Sequence, residues 1–288
     1  MAFLKKTLFI GMTVGTAVIV AACGDSATVT DNASKKSDLT LEQVYEKTIE
    51  RQQELESMKA KMKVDQAINV DSEEGSFEMT SASDLNMDMI IDPMQLYVEG
   101  TTAVKESETG EETKVPTKMY MTQNDGYYLY EESADSWFKL PEEQFDAMMS
   151  QAGIQQDPSE QLRQLEKFVE DFTFEQNDDE YILTLNADGE KFMDFVLQQA
   201  KEALGGEEAA QALGSMEGLK IKDAQYVFLI DKKTFDMNNM KMDMIITLEE
   251  EDGKMTIDQS ATVDYSDFNN VDAITIPQEV IDNAQVLQ

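Results

Sequence analysis

The sequence contains no histidine, only one cysteine and few basic residues. Among 288 residues, 23 Lys and Arg stand against 58 Asp and Glu, which gives a formal net charge of −35 at pH 7. The absence of His excludes Ser-His-Asp and Cys-His catalysis and every His-ligated zinc or iron site. A single Cys excludes an internal disulfide. The shortage of Lys and Arg argues against nucleic acid and anionic lipid headgroups as partners, because binding either requires a basic patch.

The apolar run at the amino terminus is too short to cross a bilayer. It covers the uncharged residues 7–20 and follows Lys5 and Lys6, whereas a membrane helix needs about 20 apolar residues. A short apolar run after basic residues is typical of a signal peptide. Small residues at 20–22 then lead directly to Cys23, the only Cys of the chain.

This ending, Val20-Ala21-Ala22-Cys23, resembles the lipobox of bacterial lipoproteins. The resemblance implies that residues 1–22 are a lipoprotein signal peptide and that the Cys23 sulfur receives a diacylglycerol, which is enough for stable membrane anchoring. Residues 24–38 are small, polar and without a hydrophobic period, so we predict an acylated Cys and a flexible tether over 23–38. Gly24 directly after the Cys favours the outer face of a Gram-positive cell membrane. A periplasmic setting and an ordinary Cys after a secretory signal stay open as alternatives.

Residues 39–288 are predicted to form a single α+β domain. Apolar residues at a spacing of three or four predict a helix over Leu39–Met58, and a period of two over 60–70 predicts a strand with one polar face. Strands joined by hairpins favour an antiparallel sheet. The later predicted elements are strands around 85–91, 94–98, 119–121, 127–130 and 136–140, helices within 142–170, a hairpin over 172–185, helices over 187–216, and long strands over 219–231, 235–248 and 254–267.

The order of these elements resembles the LolA-like architecture, whose lipoprotein members include the LppX/LprG type and Gram-positive lipoproteins of unknown function. The resemblance covers residues 39–288 and also rests on the stretch from Asp125-Gly126-Tyr127-Tyr128 to Trp137 and on the ending Ile274-Thr275-Ile276-Pro277. It implies a large curved antiparallel sheet, a half-barrel, with helices covering its concave face. It further implies a cavity for a lipid or a lipoprotein acyl chain.

The abundance of Met fits such a cavity independently. Met is flexible and polarisable, so it suits surfaces that repack around varied apolar partners, and several of the 19 Met residues form Met-x-Met pairs on predicted strand faces. Apolar residues of the mid-chain helices are candidates for a lid. The predicted lining is Leu85, Met87, Met89, Leu96, Met119, Met121, Trp137, Phe145, Met148, Met149, Leu165, Phe168, Met240, Met242 and Met244. The same residues also fit a closed core between sheet and helices, and both interpretations stay open here.

Other chemistries are less favoured. The Met pairs fit thioether binding of Cu(I), but in a strand they would point inwards among aliphatic side chains. Acidic loops at 72–74, 177–180 and 249–252 lack the ordered spacing of a calcium loop and are typical of a solvated surface. No Walker loop, G-x-S-x-G or G-x-G-x-x-G motif occurs. We therefore predict no enzyme, metal or cofactor, with a Ser-Lys or carboxylate-pair hydrolase as the alternative.

These observations together predict a membrane-anchored, extracytoplasmic lipoprotein without enzymatic activity. Its expected ligand is a lipid or another apolar molecule, bound between the curved sheet and the helical lid. The alternative is a cell-surface structural or interaction lipoprotein with a filled core and an acidic docking face.

Overall fold

The computed structural model describes residues 27–30, 37–72, 75–107, 110–145, 159–187, 192–194, 218–250 and 253–287, which form one 13-stranded sheet and several short helices. The strands are β1 (Thr28–Val29), β2 (Ser57–Ser72), β3 (Gly75–Ile90), β4 (Gln95–Glu106), β5 (Glu112–Thr122), β6 (Gly126–Glu131), β7 (Ser136–Lys139), β8 (Phe172–Gln176), β9 (Glu180–Asn186), β10 (Leu219–Asp231), β11 (Met237–Glu250), β12 (Gly253–Ser266) and β13 (Gln285–Val286). The helices are α1 (Leu41–Gln53), α2 (Glu160–Leu165) and α3 (Gln278–Asn283), with 3-10 turns at Glu132–Ala134 and Glu166–Asp171. Among the described residues, no helix has the length and apolar character needed to span a membrane.

The strands are arranged in the order β1-β8-β9-β10-β11-β12-β2-β3-β4-β5-β6-β7-β13. Neighbours are antiparallel, except for the parallel edge pairs β1 with β8 and β13 with β7. Consecutive strands are neighbours from β2 to β7 and from β8 to β12, and the pairing of β12 with β2 joins the carboxyl-terminal half of the sheet to the amino-terminal half. The predicted α+β class with one large, curved antiparallel sheet is confirmed.

Helix α1 begins with a capping box. The Thr40 hydroxyl accepts the backbone N–H of Gln43, and the Gln43 side chain accepts the backbone N–H of Thr40, so two free donors of the first turn are satisfied. The helix ends at Gln53 rather than at the predicted Met58. The helix ends early because of tertiary structure, since the chain from Ser57 onwards pairs residue by residue with β3.

Register divides the side chains of the sheet between two faces. Alternate residues of a strand point to opposite faces, and partners in register on neighbouring strands share a face. One row of partners on β11, β12, β2, β3 and β4 consists of Met240, Val263, Met62, Leu85 and Gly100. We call the face that carries this row the apolar face and the opposite one the charged face.

The charged face carries exposed ladders of opposite charge on β2 and β3. The Lys59 Nζ lies 3.3 Å from an Asp88 carboxylate oxygen, and the Lys61 and Lys63 Nζ atoms each lie 4.0 Å from Asp84. Such exposed pairs contribute little to stability. They are the polar side of the period-two pattern that the sequence predicts for 60–70.

Helices and turns pack against both faces. On the apolar face, α1 and α2 cover β8 to β10 in one large buried cluster, and Phe145 covers the ends of β4 and β5 in another. The carboxyl-terminal segment lies on the charged face instead, where Ile276 and Val280 pack against Tyr128. The helices are therefore not confined to one side, because α3 belongs to this terminal segment.

Part of the predicted tether is attached to the sheet. Ala27 is buried in the large cluster, and Thr28 and Val29 pair in parallel with the edge strand β8. Thr30 donates its backbone N–H to the Gln176 carbonyl oxygen at 3.0 Å. This pairing covers the free edge of β8, which would otherwise expose unpaired backbone groups.

Candidate functional site

The apolar face carries no charge in its interior. Among the paired residues of this face whose side chains the structure describes, the one charged residue is Glu131, at the end of β6. The whole chain is 28% charged, so a face that crosses eleven strands with no charge in its described interior is a distinct feature. Charged side chains are kept away from surfaces that bury apolar groups, because removing an unpaired charge from water is costly.

The structure brings together most of the predicted lining. The strand candidates that share the apolar face are Leu85, Met87, Met89, Leu96, Met119, Met121, Met240, Met242 and Met244. The side chains of Leu165, Phe168 and Phe145 pack against the same face from helical segments. Met148 and Met149 lie outside the described residues, as does Cys23.

Trp137 is separate from this group. It is in register with Tyr130 on the charged face and packs beside Tyr120, with ring centroids 5.6 Å apart. Tyr97 stacks on Tyr120 from β4 at 4.6 Å. Trp137 therefore belongs to an aromatic cluster beneath the carboxyl-terminal segment, and it does not line the apolar face.

Several candidates are part of a filled core. Leu165 and Phe168 are buried in the cluster under α1 and α2, with Met240 and Met244 at its border. Met121 and Phe145 are buried together in the smaller cluster that Leu96 borders, and Met89 borders the cluster of Leu55, Met58 and Ile91. These contacts are fixed packing between elements of the chain, so these residues stabilise the two ends of the apolar face.

The middle of the apolar face is packed less completely. Five residues in this region are half-buried and belong to no buried cluster of the described residues. They are Met62, Leu85, Met87, Met119 and Met242. They lie on β2, β3, β5 and β11 between the two packed ends. We call these five residues the central strip. Flexible thioethers that keep some exposure are suited to an adaptable apolar contact.

Gly100 lies directly beside the central strip. A Cβ atom at Gly100 would lie 2.1 Å from the Asp84 carbonyl oxygen and 2.8 Å from a methyl carbon of Leu85. Only glycine fits where a neighbouring strand and side chain approach this closely. Leu85 thus occupies the space that a side chain at Gly100 would need. The absence of that side chain lets Leu85 lie close to the sheet.

Uncharged polar residues interrupt the apolar face near its centre, and four of them form two hydrogen-bonded pairs. The Gln66 Nε2 donates to the Gln259 Oε1 at 3.3 Å, and the hydroxyls of Ser83 and Thr102 lie 2.9 Å apart. All four are half-buried. Sequence reasoning places Gln66 among the inward positions of its strand but misses the role of the other three, because their partners depend on the register of β12, β2, β3 and β4.

The charged face has its own groove beside the aromatic cluster. It has a volume of about 280 Å³, and Lys59, Asp88, Tyr97 and Tyr120 face the terminal segment 270–275 across it. Burial raises the pKa of the Tyr97 hydroxyl, and a hydrogen bond to Glu99 at 2.7 Å raises it further. Within the described ranges, no three His, Cys, Asp or Glu side chains are grouped so as to hold a metal ion.

No curated protein matches the chain. Solved structures that resemble it include a β-barrel-like protein of the domain of unknown function DUF1849 from Brucella abortus, with 8% identity, a TM-score of 0.19, and coverage of 74% of this chain and 99% of that one. A DUF1329 family protein from Desulfovibrio piger has 10% identity and a TM-score of 0.22, with coverage of 83% and 96%. A domain assigned to outer membrane lipoprotein sorting in Vibrio parahaemolyticus has 12% identity and a TM-score of 0.21, with coverage of 79% and 92%. TM-scores at this level carry no argument about ligand or activity.

A family model also matches the sequence. It matches residues 40–285, from the cap of α1 to the first residue of β13, and it describes a family of unknown function. The chain therefore belongs to the DUF6612 family.

Proposed function

We propose that this protein is a non-enzymatic lipoprotein that binds a lipid or another apolar ligand on the central strip. The observation that carries the proposal is the charge-free apolar face, whose middle keeps half-buried Met and Leu side chains between two packed ends. A face that served only as core would be expected to bury its central side chains as completely as its ends.

Apolar burial supplies the binding energy in this proposal. Each methylene removed from water contributes about 0.8 kcal/mol, so an acyl chain laid along the strip gains several kcal/mol before the cost of association. Met62, Met87, Met119 and Met242 can change rotamer to follow chains of different shape. The site thus favours acyl chains as a class over one ligand of fixed shape.

The same proposal includes the membrane anchor. Residues 1–22 are cleaved as a signal peptide, and Cys23 carries a diacylglycerol at the outer face of the cell membrane, most simply of a Gram-positive cell. Residues 39–288 then form one domain outside the membrane. Support comes from the lipobox-like residues 20–23 and from the docking of residues 27–30 on the edge of the sheet, which keeps the domain close to its anchor.

A second candidate function is a cell-surface interaction protein with a filled core. The burial of Phe145, Leu165 and Phe168 in packed clusters favours it, as does the exposed, charged opposite face. In this case the central strip would be a loosely packed part of the core. The partner would then dock on the acidic surface.

The two functions are separated by purifying the full chain from a Gram-positive host and identifying bound lipid by mass spectrometry. We expect a co-purifying lipid at a definite stoichiometry and uptake of fluorescent acyl probes. Met87→Lys places a charge on the central strip and should abolish both, whereas Asn86→Lys, the same change at the adjacent exposed position of the charged face, should abolish neither. Lipid-free protein that takes up no probe would overturn the proposal and favour the interaction protein.

The anchor is tested separately with Cys23→Ala. We expect wild-type protein to incorporate labelled fatty acid and to fractionate with the membrane, and the variant to be unlabelled and released. A variant that stays with the membrane, together with an unlabelled wild type, would overturn the anchor without bearing on ligand binding.

A further inference from the structure

Four polar residues near the centre of the apolar face lie next to one another on adjacent strands. They are Gln259 on β12, Gln66 on β2, Ser83 on β3 and Thr102 on β4, in the order of the strands in the sheet. Gln66 is in register with Gln259, and Ser83 is in register with Thr102, while Gln66 and Ser83 are diagonal neighbours. We call these four residues the polar band.

Apolar side chains flank the polar band along the strands. Met62 and Leu85 of the central strip lie on one side, and Ile68 and Met79 lie on the other. The rise of a strand is about 3.3 Å per residue, so Met62 is about 13 Å from Gln66. An amphiphile whose polar group rests on the band therefore finds apolar surface for acyl chains in both directions.

The band keeps hydrogen-bonding capacity for a ligand. A Gln side chain has two donor hydrogens and an acceptor oxygen, and a hydroxyl both donates and accepts. The bond from Gln66 to Gln259 leaves the Gln66 Oε1 and the Gln259 amide hydrogens for another partner. The band thus presents donors and acceptors together, which suits groups such as esters, hydroxyls and amides.

Charge decides which polar group fits. The described interior of this face has no Lys or Arg to pair with a carboxylate or phosphate. An anionic group placed there would lose its hydration without a compensating ion pair, which is strongly unfavourable. The net charge of −35 adds long-range repulsion.

We infer that the polar band selects amphiphiles with an uncharged ester, hydroxyl or amide group, of which an acylglycerol is the simplest example. This inference rests on the proposed function and deepens it. The acyl chains occupy the central strip, while Gln66, Gln259, Ser83 and Thr102 hydrogen-bond the neutral group. The four residues determine ligand specificity, and the apolar strip supplies most of the affinity.

The test compares two fluorescent probes with the same acyl chain on the full chain at pH 8, a monoacylglycerol and the free fatty acid. We expect the neutral ester to bind at least about tenfold more tightly, a ratio that one or two hydrogen bonds and an avoided unpaired charge supply. The double variant Gln66→Leu with Gln259→Leu should weaken the monoacylglycerol about tenfold. It should leave a pyrene-labelled alkane bound as before, which shows that the apolar strip is still folded.

Two further variants sharpen the result. Gln225→Leu makes the same chemical change on the charged face, where Gln225 donates to Asn186, and should leave both probes unaffected. Gln259→Lys adds a cation to the band and should move the preference towards the fatty acid. Equal binding of both probes by the wild type, or an unchanged preference in the double variant Gln66→Leu with Gln259→Leu, would overturn the inference while the proposed function stands. Failure of every probe, the alkane included, would overturn both.

Discussion

The Gln176 side chain donates from its Nε2 to the carbonyl oxygen of Ala27 at 3.2 Å, and both residues are buried. Its Oε1 accepts from the Ser37 backbone N–H and from the Lys232 Nζ, each at 2.8 Å. One amide thus joins the segment of β1, the residues that lead into α1 and the turn after β10. The edge of the sheet at β8 is fastened through this residue.

We therefore expect Gln176→Leu to destabilise the domain by about 1–3 kcal/mol, because it leaves the buried Ala27 carbonyl and the half-buried Ser37 N–H without partners. Urea unfolding followed by circular dichroism measures the loss. Gln278→Leu, on the exposed first turn of α3, is the matched control and should change stability by less than about 0.5 kcal/mol. Equal midpoints for the two variants would show that Gln176 does not fasten this edge.

Gly100 provides a second test of packing beside the central strip. Gly100→Ala introduces a Cβ that overlaps the Asp84 carbonyl oxygen and the Leu85 side chain. Because one of these atoms belongs to the backbone of β3, the strands must move apart, and we expect a loss of about 1–3 kcal/mol. Thermal unfolding measures it, with Thr101→Ala at the adjacent exposed position as the control. An unaltered melting temperature for Gly100→Ala would contradict the close approach of β3 and β4.

A largely buried ion pair connects α1 to the turn before β11. The Arg51 Nε lies 2.6 Å from the Asp236 Oδ1, and the two side chains are only 20% and 10% exposed. Arg51→Met leaves the carboxylate without its partner and should cost about 2–4 kcal/mol. Lys59→Met breaks the exposed pair with Asp88, at 43% and 34% exposure, and should cost less than about 1 kcal/mol.

The double variant Arg51→Met with Asp236→Leu completes the comparison. Removing both charges also removes the desolvation penalty, so the double variant should be more stable than the sum of the single losses predicts. Additive losses in urea unfolding would mean that the two side chains act independently.

Local patterns predict the strands well where turns mark both ends. The predicted strand 219–231 coincides with β10, because Gly218 and the turn at 232–234 limit an alternating segment. The strand predicted at 85–91 is much longer in the structure and begins at Gly75. Polar and apolar residues alternate only weakly in the first half of this strand. Pairing with β2 makes this half a strand, and no local pattern reveals that pairing.

The candidate site is predictable only in part for the same reason. Period two identifies the Met residues that share a face, and nine of the strand candidates do so. Trp137 is placed on the other face by the register of the short hairpin β6–β7, which contains a 3-10 turn. Whether a Met lies in a filled end or in the central strip depends on where α1, α2 and Phe145 pack, which is a matter of tertiary structure.

Tyrosine ionisation predicts how stability depends on pH. Burial raises the pKa of the Tyr265 hydroxyl to about 12, and burial together with the charge of Glu166 raises that of Tyr45. In the unfolded chain these groups titrate near 10. Above that pH the folded state binds more protons than the unfolded state, so the free energy of unfolding falls as pH rises and is unaffected by these groups below pH of about 9.

We therefore expect stability to decline from about pH 10 to 12. Urea unfolding at intervals of pH, with tyrosinate absorbance followed in parallel, measures the decline and the ionisation together. Tyr265→Phe removes one contributing hydroxyl and should make the decline less steep, since the ring that packs against Leu55, Met58 and Ile91 is retained. Tyr130→Phe tests burial as the cause: the exposed Tyr130 hydroxyl donates to Asp135, this hydrogen bond is the main reason that its pKa is raised, and its removal should change the slope less. The same alkaline slope in Tyr265→Phe and wild type would mean that Tyr265 ionises in the folded protein as readily as in the unfolded chain.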